Sequence, residues 1–202
     1  HHLTDKPFNR YYLHSVDGFV YMSEQVHSEL RAYSDAPALF SPHPLFENFG
    51  ERVERSEACV RLGLDPANRY VLFFGLIRDY KGLDLLLDAW AQLRRAGRTE
   101  GRRLIVAGEF YTAREPYLNR IADNGLQDEV LLHDRFIPDD DVKYYFSAAD
   151  FVVQPYKTAT QSGVTQIAYQ FCVPMVVTKV GGLAEIVPDG RVGYVCEPTP
   201  EG

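Results

Sequence analysis

Residues 156–193 read YKTATQSGVTQIAYQFCVPMVVTKVGGLAEIVPDGRVG, and the chain's architecture is plainest there. The apolar run Phe151-Val152-Val153 precedes them. A Ser/Thr/Gly-rich turn, a helical segment, a second apolar run at 175–177 and the Gly181-Gly182 turn follow in order. Strand, loop, helix, strand and loop make the repeating unit of a parallel sheet with helices packed on it. The turn at 158–163 sets hydroxyls, an amide and a glycine where the helix begins. The first N–H groups of a helix lack intrahelical partners, so such a start suits an anion. It equally suits an ordinary N-cap, with Thr160 or Ser162 capping and nothing bound.

A second loop repeats the pattern. Tyr70-Val-Leu-Phe-Phe-Gly75 is an aromatic, β-branched run ending in glycine, and Leu76-Ile-Arg78-Asp-Tyr-Lys81-Gly82 follows it. Leucines then recur at helical spacing over 83–93. Two such loops at the carboxyl ends of parallel strands face one crevice, where open α/β sheets bind ligands. The ligand that suits two glycine-flanked loops and two cations is a diphosphate. Arg78 and Lys81 then stabilise the charge of a leaving diphosphate; the plainer alternative is a solvated basic pair.

The segments FFGLIRDYKGLDLLLDAW, LIVAGEF, FIPDDDVKYYFSAADFVVQPY and PMVVTKVGGLAEIVPDGRVGYV occur in that order. Over about two thirds of the chain, 70–198, they resemble the nucleotide-sugar domain of GT-B, family 4-type (group 1) glycosyltransferases. The resemblance implies an α/β fold, a doubly wound parallel, Rossmann-like sheet with helices on both faces, forming one half of a GT-B enzyme. It implies transfer of a sugar from a nucleoside-diphosphate donor to an acceptor hydroxyl, with retention, no metal and no cofactor beyond the nucleotide-sugar co-substrate. Residues 1–46 then read as the end of an N-terminal, acceptor-side domain plus the crossing segment. Residues 47–202 read as the donor domain, cut short at its C-terminal end. On that view this chain alone binds donor and transfers nothing, because the acceptor side is absent.

The same resemblance supplies the site. Gly75, Arg78, Lys81 and Gly82 belong to the first loop; the family's arginine falls at Leu76, so the lysine is the firmer match. Thr160, Gln161, Ser162, Gly163, Val164 and Gln166 belong to the second loop and its helix, with the amides at Ser162 and Gly163 on a phosphate. Gly163 has no side chain to block close approach. Arg135, Phe136 and Ile137 mark, by position only, where the family holds its base. Glu185 either binds sugar hydroxyls or caps the Gly181-Gly182 turn. No catalytic residue announces itself.

One departure is large. The family carries two glutamates eight residues apart, and counting back from Pro174 they fall on Thr160 and Ala168. No Asp or Glu occurs between Asp150 and Glu185, so no shift of register restores them. Thr160, Gln161 and Gln166 then serve as neutral hydrogen-bonding substitutes, or the chain is a non-catalytic binding subunit of the same fold. A sugar-nucleotide epimerase is a third reading, and it would want carboxylates in the cleft.

Composition sets the outer bounds. A chain of 202 residues with 46% apolar content can bury a full core. A net charge of −7 argues against a nucleic-acid surface. No apolar run is long enough to span a bilayer, and no secretory leader is visible. The expected location is the cytoplasm. Acceptors in the resembling family are often lipid-linked or sugars of nascent surface polysaccharides, met through the missing domain, which extends the location to the inner face of the membrane and the partners to peripheral membrane contact, with no basic amphipathic stretch to support either. Cys59, Cys172 and Cys196 are too scattered for a disulfide framework or metal site and read as reduced, packed thiols. His1-His2 are either an expression tag or native. His43, bracketed by prolines in the crossing, reads as a loop residue.

Elements expected from pattern are a helix over 5–14, strands over 19–22 and 38–40, and a helix from Ser23 to Leu30. Donor-domain helices are expected over 51–62, 83–93, 115–124 and 139–149. Five donor-domain strands are expected, over 69–75, 104–107, 130–132, 151–153 and 175–177.

Overall fold

The computed structural model describes residues 7–202. His1-His2 and the first residues of the expected N-terminal helix lie outside them. Helix α1 (Pro7–His14), β1 (Phe19–Tyr21), α2 (Glu24–Arg31) and β2 (Ala38–Phe40) come first, and β1 and β2 pair as a parallel two-stranded sheet. Ser23 starts α2 as the sequence suggests: its side chain accepts from the Val26 amide at 3.4 Å. A 3₁₀ turn, Glu47–Phe49, then leads to α3 (Arg55–Leu62). That helix begins four residues later than expected. Val53 lies in irregular chain before it, its amide held by the Ser147 hydroxyl at 3.1 Å, and Glu54 takes the cap position with extended torsions.

The remaining elements alternate: β3 (Arg69–Phe74), α4 (Leu83–Arg95), β4 (Arg102–Ala107), α5 (Glu115–Asp123), β5 (Val130–His133), α6 (Asp139–Ala148), β6 (Phe151–Gln154), α7 (Gly163–Gln170), β7 (Met175–Thr178), α8 (Leu183–Ile186) and β8 (Gly193–Cys196). Six strands form one wholly parallel sheet in the order β5-β4-β3-β6-β7-β8. The doubly wound, Rossmann-like fold is therefore present, with one strand more than the five expected. The extra strand, β8, is a four-residue Gly-Tyr-Val-Cys run behind a Pro-Asp-Gly turn, too short for its pattern to separate it from loop.

β3 lies at the middle, and its side chains divide the core. Tyr70, Leu72 and Phe74 pack with α3, α6 and α7 on one face. Val71 and Phe73 pack with α4 and α5 on the other. Burial on both faces explains why this strand reads as a continuous apolar run rather than an alternating one. α4 buries Leu83, Leu86, Leu87 and Trp90 as its spacing suggests. Leu93, expected on the same stripe, is 40% exposed at the helix's end.

The chain winds outward from β3 through β4 to β5, then returns to the other side of β3 and continues through β6, β7 and β8. The reversal lies between β3 and β6, so the loops after those two strands diverge from adjacent points at one sheet end. Open α/β sheets bind ligands at such a switch point.

Candidate functional site

The two loops meet at Lys81. After β3 the chain turns through Gly75 to a 3₁₀ turn, Asp79–Lys81, closed by Gly82 in the left-handed conformation (φ +69°). The Gly82 Cα sits against the carbonyl of Pro155, just past β6, so closely that a Cβ would lie 1.9 Å from that oxygen. The lysine turn is thereby keyed onto the neighbouring strand's end. A backbone hydrogen bond from Lys157 N to Tyr80 O at 2.7 Å ties the two loops again.

Lys81 is only 9% exposed. A Cβ added at Gly75 would lie 3.1 Å from its Nζ and 3.5 Å from Cγ2 of Val164, the second residue of α7. The space beside Gly75 is thus met by the ammonium and by the first turn of the helix after the second loop. The ammonium also stands 5.8 Å from the Tyr156 ring centroid, a cation–π contact. Burial, reinforced by the Arg78 guanidinium, pushes its pKa down from 10.5 to about 8. Lys157 nearby is different: Asp84 pairs with it at 2.6 Å.

α7 begins without a side-chain cap. Ser162 has the extended torsions of an N-cap residue, but its hydroxyl makes no hydrogen bond to the helix's first amides. It bonds instead to the Tyr156 hydroxyl at 3.1 Å. Gly163 opens the helix beside Phe46, whose Cε2 lies 3.2 Å from where a Cβ would stand.

Other predicted residues spread around this centre. Arg78 is exposed on the rim, its guanidinium 5.3 Å from the centroid of Tyr111, which sequence reading did not single out. Phe136 and Ile137 line a cleft of about 160 Å³ together with Gly75, Leu76, Phe49 and Phe74. Gly75 thus belongs to both the cleft and the lysine niche. Arg135 is exposed beside that cleft, its amide bonded to His133 O at 2.9 Å. Thr160 gives its carbonyl to the amide of Gly182 at 3.2 Å, which sets the Gly181-Gly182 turn directly against the second loop. Gln161 and Gln166 border a separate hollow of about 200 Å³, shared with Phe40, His43 and Tyr169.

Two positions come out differently from their sequence reading. Glu185 does not cap its own turn: its carboxylate accepts from the amides of Glu24 (2.9 Å) and Gln25 (3.3 Å), the first residues of α2. Both oxygens thus serve a helix start some 160 residues away, where negative charge is favoured. Ala168, where the count from Pro174 puts the family's second glutamate, is fully buried in the core. The thiols also differ from expectation: Cys59 is buried, but Cys172 is exposed in a left-handed turn (φ 52°). Among the described residues no group of three or more His, Cys, Asp or Glu is placed to hold a metal ion. No helix among them is long and apolar enough to cross a membrane.

The family described as glycosyl transferases group 1 matches residues 68–202, which hold β3 to β8 and both loops. The chain belongs to that family. A D-inositol 3-phosphate glycosyltransferase from Segniliparus rotundus is 36% identical over 148 residues, covering 71% of this chain and 32% of that protein. A lipopolysaccharide core biosynthesis mannosyltransferase from Rhizobium meliloti is 32% identical over 172 residues, covering 79% of this chain and 45% of that one. The chain therefore spans less than half the length of these relatives. Among solved structures, sucrose-phosphate synthase from Thermosynechococcus elongatus superposes with a TM-score of 0.78 at 22% identity, over 94% of this chain and 47% of that one. Anabaena HepE in complex with UDP gives 0.75 at 19% identity, over 98% and 56%. Both share the fold of this group 1 member.

Proposed function

We propose that this chain is the donor half of a glycosyltransferase that moves a sugar from a nucleoside diphosphate to an acceptor hydroxyl with retention at the anomeric carbon. The observation that carries the reading is the buried Lys81 ammonium, 3.1 Å from the Cβ position of Gly75, which Val164 at the open end of α7 meets at 3.5 Å. A cation kept off water, beside amides that lack partners, is a niche for an anion. The diphosphate lies there, on Lys81 and the amides of Ser162, Gly163 and Val164, with Arg78 closing from the rim. As the bond from the anomeric carbon to the diphosphate breaks, its electron pair passes to the leaving oxygen, where these groups stabilise the charge; the acceptor oxygen bonds that carbon and its proton passes to the departing diphosphate. The base lies in the cleft of Phe136 and Ile137. Thr160, Gln161 and Gln166 meet sugar hydroxyls through neutral hydrogen bonds. Lys81 and Arg78 carry the charge neutralisation, so the reading calls for no metal. HepE's complexes with UDP and UDP-glucose support a nucleotide sugar as donor.

A thermal-shift screen of UDP, GDP, ADP, CDP and TDP tests this. At a hundred times Kd, a ligand adds about 2.7 kcal/mol of stability, and for a chain of this size that is about 5–10 °C in Tm. Diphosphates of one base should give a shift of this order. If none of the five shifts Tm at millimolar concentration, the reading fails.

The lysine makes a second, independent demand. In the free fold Lys81 loses its proton near pH 8, whereas an unfolded lysine holds it to about 10.5. Between those values the unfolded chain binds more protons, so this group adds stability as pH rises through that window. A bound diphosphate restores the proton, so affinity runs the other way. The Tyr156 ring beside Lys81 does not blur this, because burial pushes its hydroxyl far up and it stays neutral. Calorimetry should find affinity level from pH 7 to 7.5, then falling by up to about tenfold per pH unit above 8. A Lys81→Met protein should lack that slope. A flat wild-type profile to pH 9.5 would remove the lysine from the site.

A further inference from the structure

We propose that Tyr156 is a positioning residue whose hydroxyl keeps the first amides of α7 open for the diphosphate, an inference that rests on the function proposed above. Ser162 is the residue that should close them. It precedes α7, its torsions (φ −143°, ψ 124°) are those of a capping residue, and serine is among the best N-caps. From there its Oγ would ordinarily accept from the second or third amide of the helix, Val164 or Thr165. It does not. Thr165 N instead donates to the backbone carbonyl of Ser162 at 3.2 Å, and the Ser162 hydroxyl is drawn to Tyr156 Oη at 3.1 Å.

Tyr156 is well placed to hold it. The side chain is 3% exposed, and Tyr80 packs edge-on against its ring with centroids 6.1 Å apart. A buried tyrosine hydroxyl needs a partner, and Ser162 Oγ is the partner the structure gives it. The same ring carries the Lys81 ammonium on its face. One residue at the end of β6 thus touches both halves of the anion niche: its face supports the cation, and its hydroxyl withdraws the side chain that would otherwise compete for the amides.

The hydroxyl's role can be isolated with isosteric changes. Tyr156→Phe keeps the ring under Lys81 and frees Ser162 Oγ to cap α7. A cap is worth about 1 kcal/mol, so UDP affinity measured by calorimetry should fall about fivefold. Made in a Ser162→Ala background, the same Tyr156→Phe change should alter affinity less than twofold, since no hydroxyl remains to be restrained. The non-additivity is the signature, because a merely structural loss at Tyr156 would persist without Ser162. Equal losses in both backgrounds, or no loss in either, overturn the proposal. These outcomes are read only against a wild-type protein that binds UDP and a Lys81→Ala protein that binds it more weakly. If that pair shows no difference, the fault lies with the function proposed above instead.

Discussion

Replacing Lys81 with methionine should weaken nucleoside-diphosphate binding roughly five- to 150-fold, the about 1–3 kcal/mol of a charge-assisted hydrogen bond, while holding or raising the Tm of the free protein. The two effects have one cause. With its pKa pushed from 10.5 to about 8 by burial and by Arg78, the ammonium is held in a place that disfavours its charge. At pH 7 both the folded and the unfolded lysine are protonated, so the full penalty is present, on the order of 3 kcal/mol. Methionine keeps most of the aliphatic stem and drops the charge, so part of that penalty is recovered in the free fold. A ligand restores the balance only for the lysine, since its phosphates replace the water that burial removed. Alanine should show the same loss of affinity, but with packing lost as well. Melting curves with and without ligand check both halves. A methionine variant that melts several degrees lower would mean Lys81 is a structural residue, and unchanged affinity would mean the diphosphate lies elsewhere.

The donor-domain strands and helices were legible because each carries a period or a stop that physics enforces. β3 reads as a buried strand because it has packing partners on both faces, and α4 reads as a helix because one stripe meets the sheet and the other meets water. The two loops were legible because glycine and lysine types at strand ends are rarely idle. What stayed hidden depends on distance in space rather than in sequence. Glu185 reaches the start of α2 across about 160 residues, and nothing local marks a carboxylate as another helix's cap. Counting from Pro174 puts the family's second glutamate on Ala168, but a count carries no information about which face of α7 looks inward, and Ala168 looks into the core. Tyr111 under Arg78 and Tyr156 beneath Lys81 have no role in the sequence reading. Tyr156 had a signal: it lies just past β6, the strand paired with β3, at the same end of the sheet as Gly75.

Gly82→Ala should be among the most damaging single changes in the chain, and Gly97→Ala shows why. The two glycines have nearly the same backbone, φ +69° and +68°. Each would charge an alanine the cost of the left-handed region, about 1–2 kcal/mol. Around Gly97 nothing lies within 4 Å of the Cβ position, so that cost should be the whole effect. At about 2–4 °C per kcal/mol for a chain of this size, Gly97→Ala should lower Tm by about 2–8 °C. At Gly82 the Cβ would lie 1.9 Å from Pro155 O and 2.9 Å from its carbonyl carbon, both backbone atoms that no rotamer change can move aside. Either the lysine turn lifts off the end of β6 or the strand end shifts. In each case Lys81 leaves its place beside Gly75. The added cost should take the total beyond about 4 kcal/mol, the range reached by backbone-level faults, with Tm lowered by more than about 10 °C and any diphosphate-induced shift abolished. Matched losses for the two variants would show that the contact with Pro155 is slack, and that the lysine turn is not anchored through Gly82.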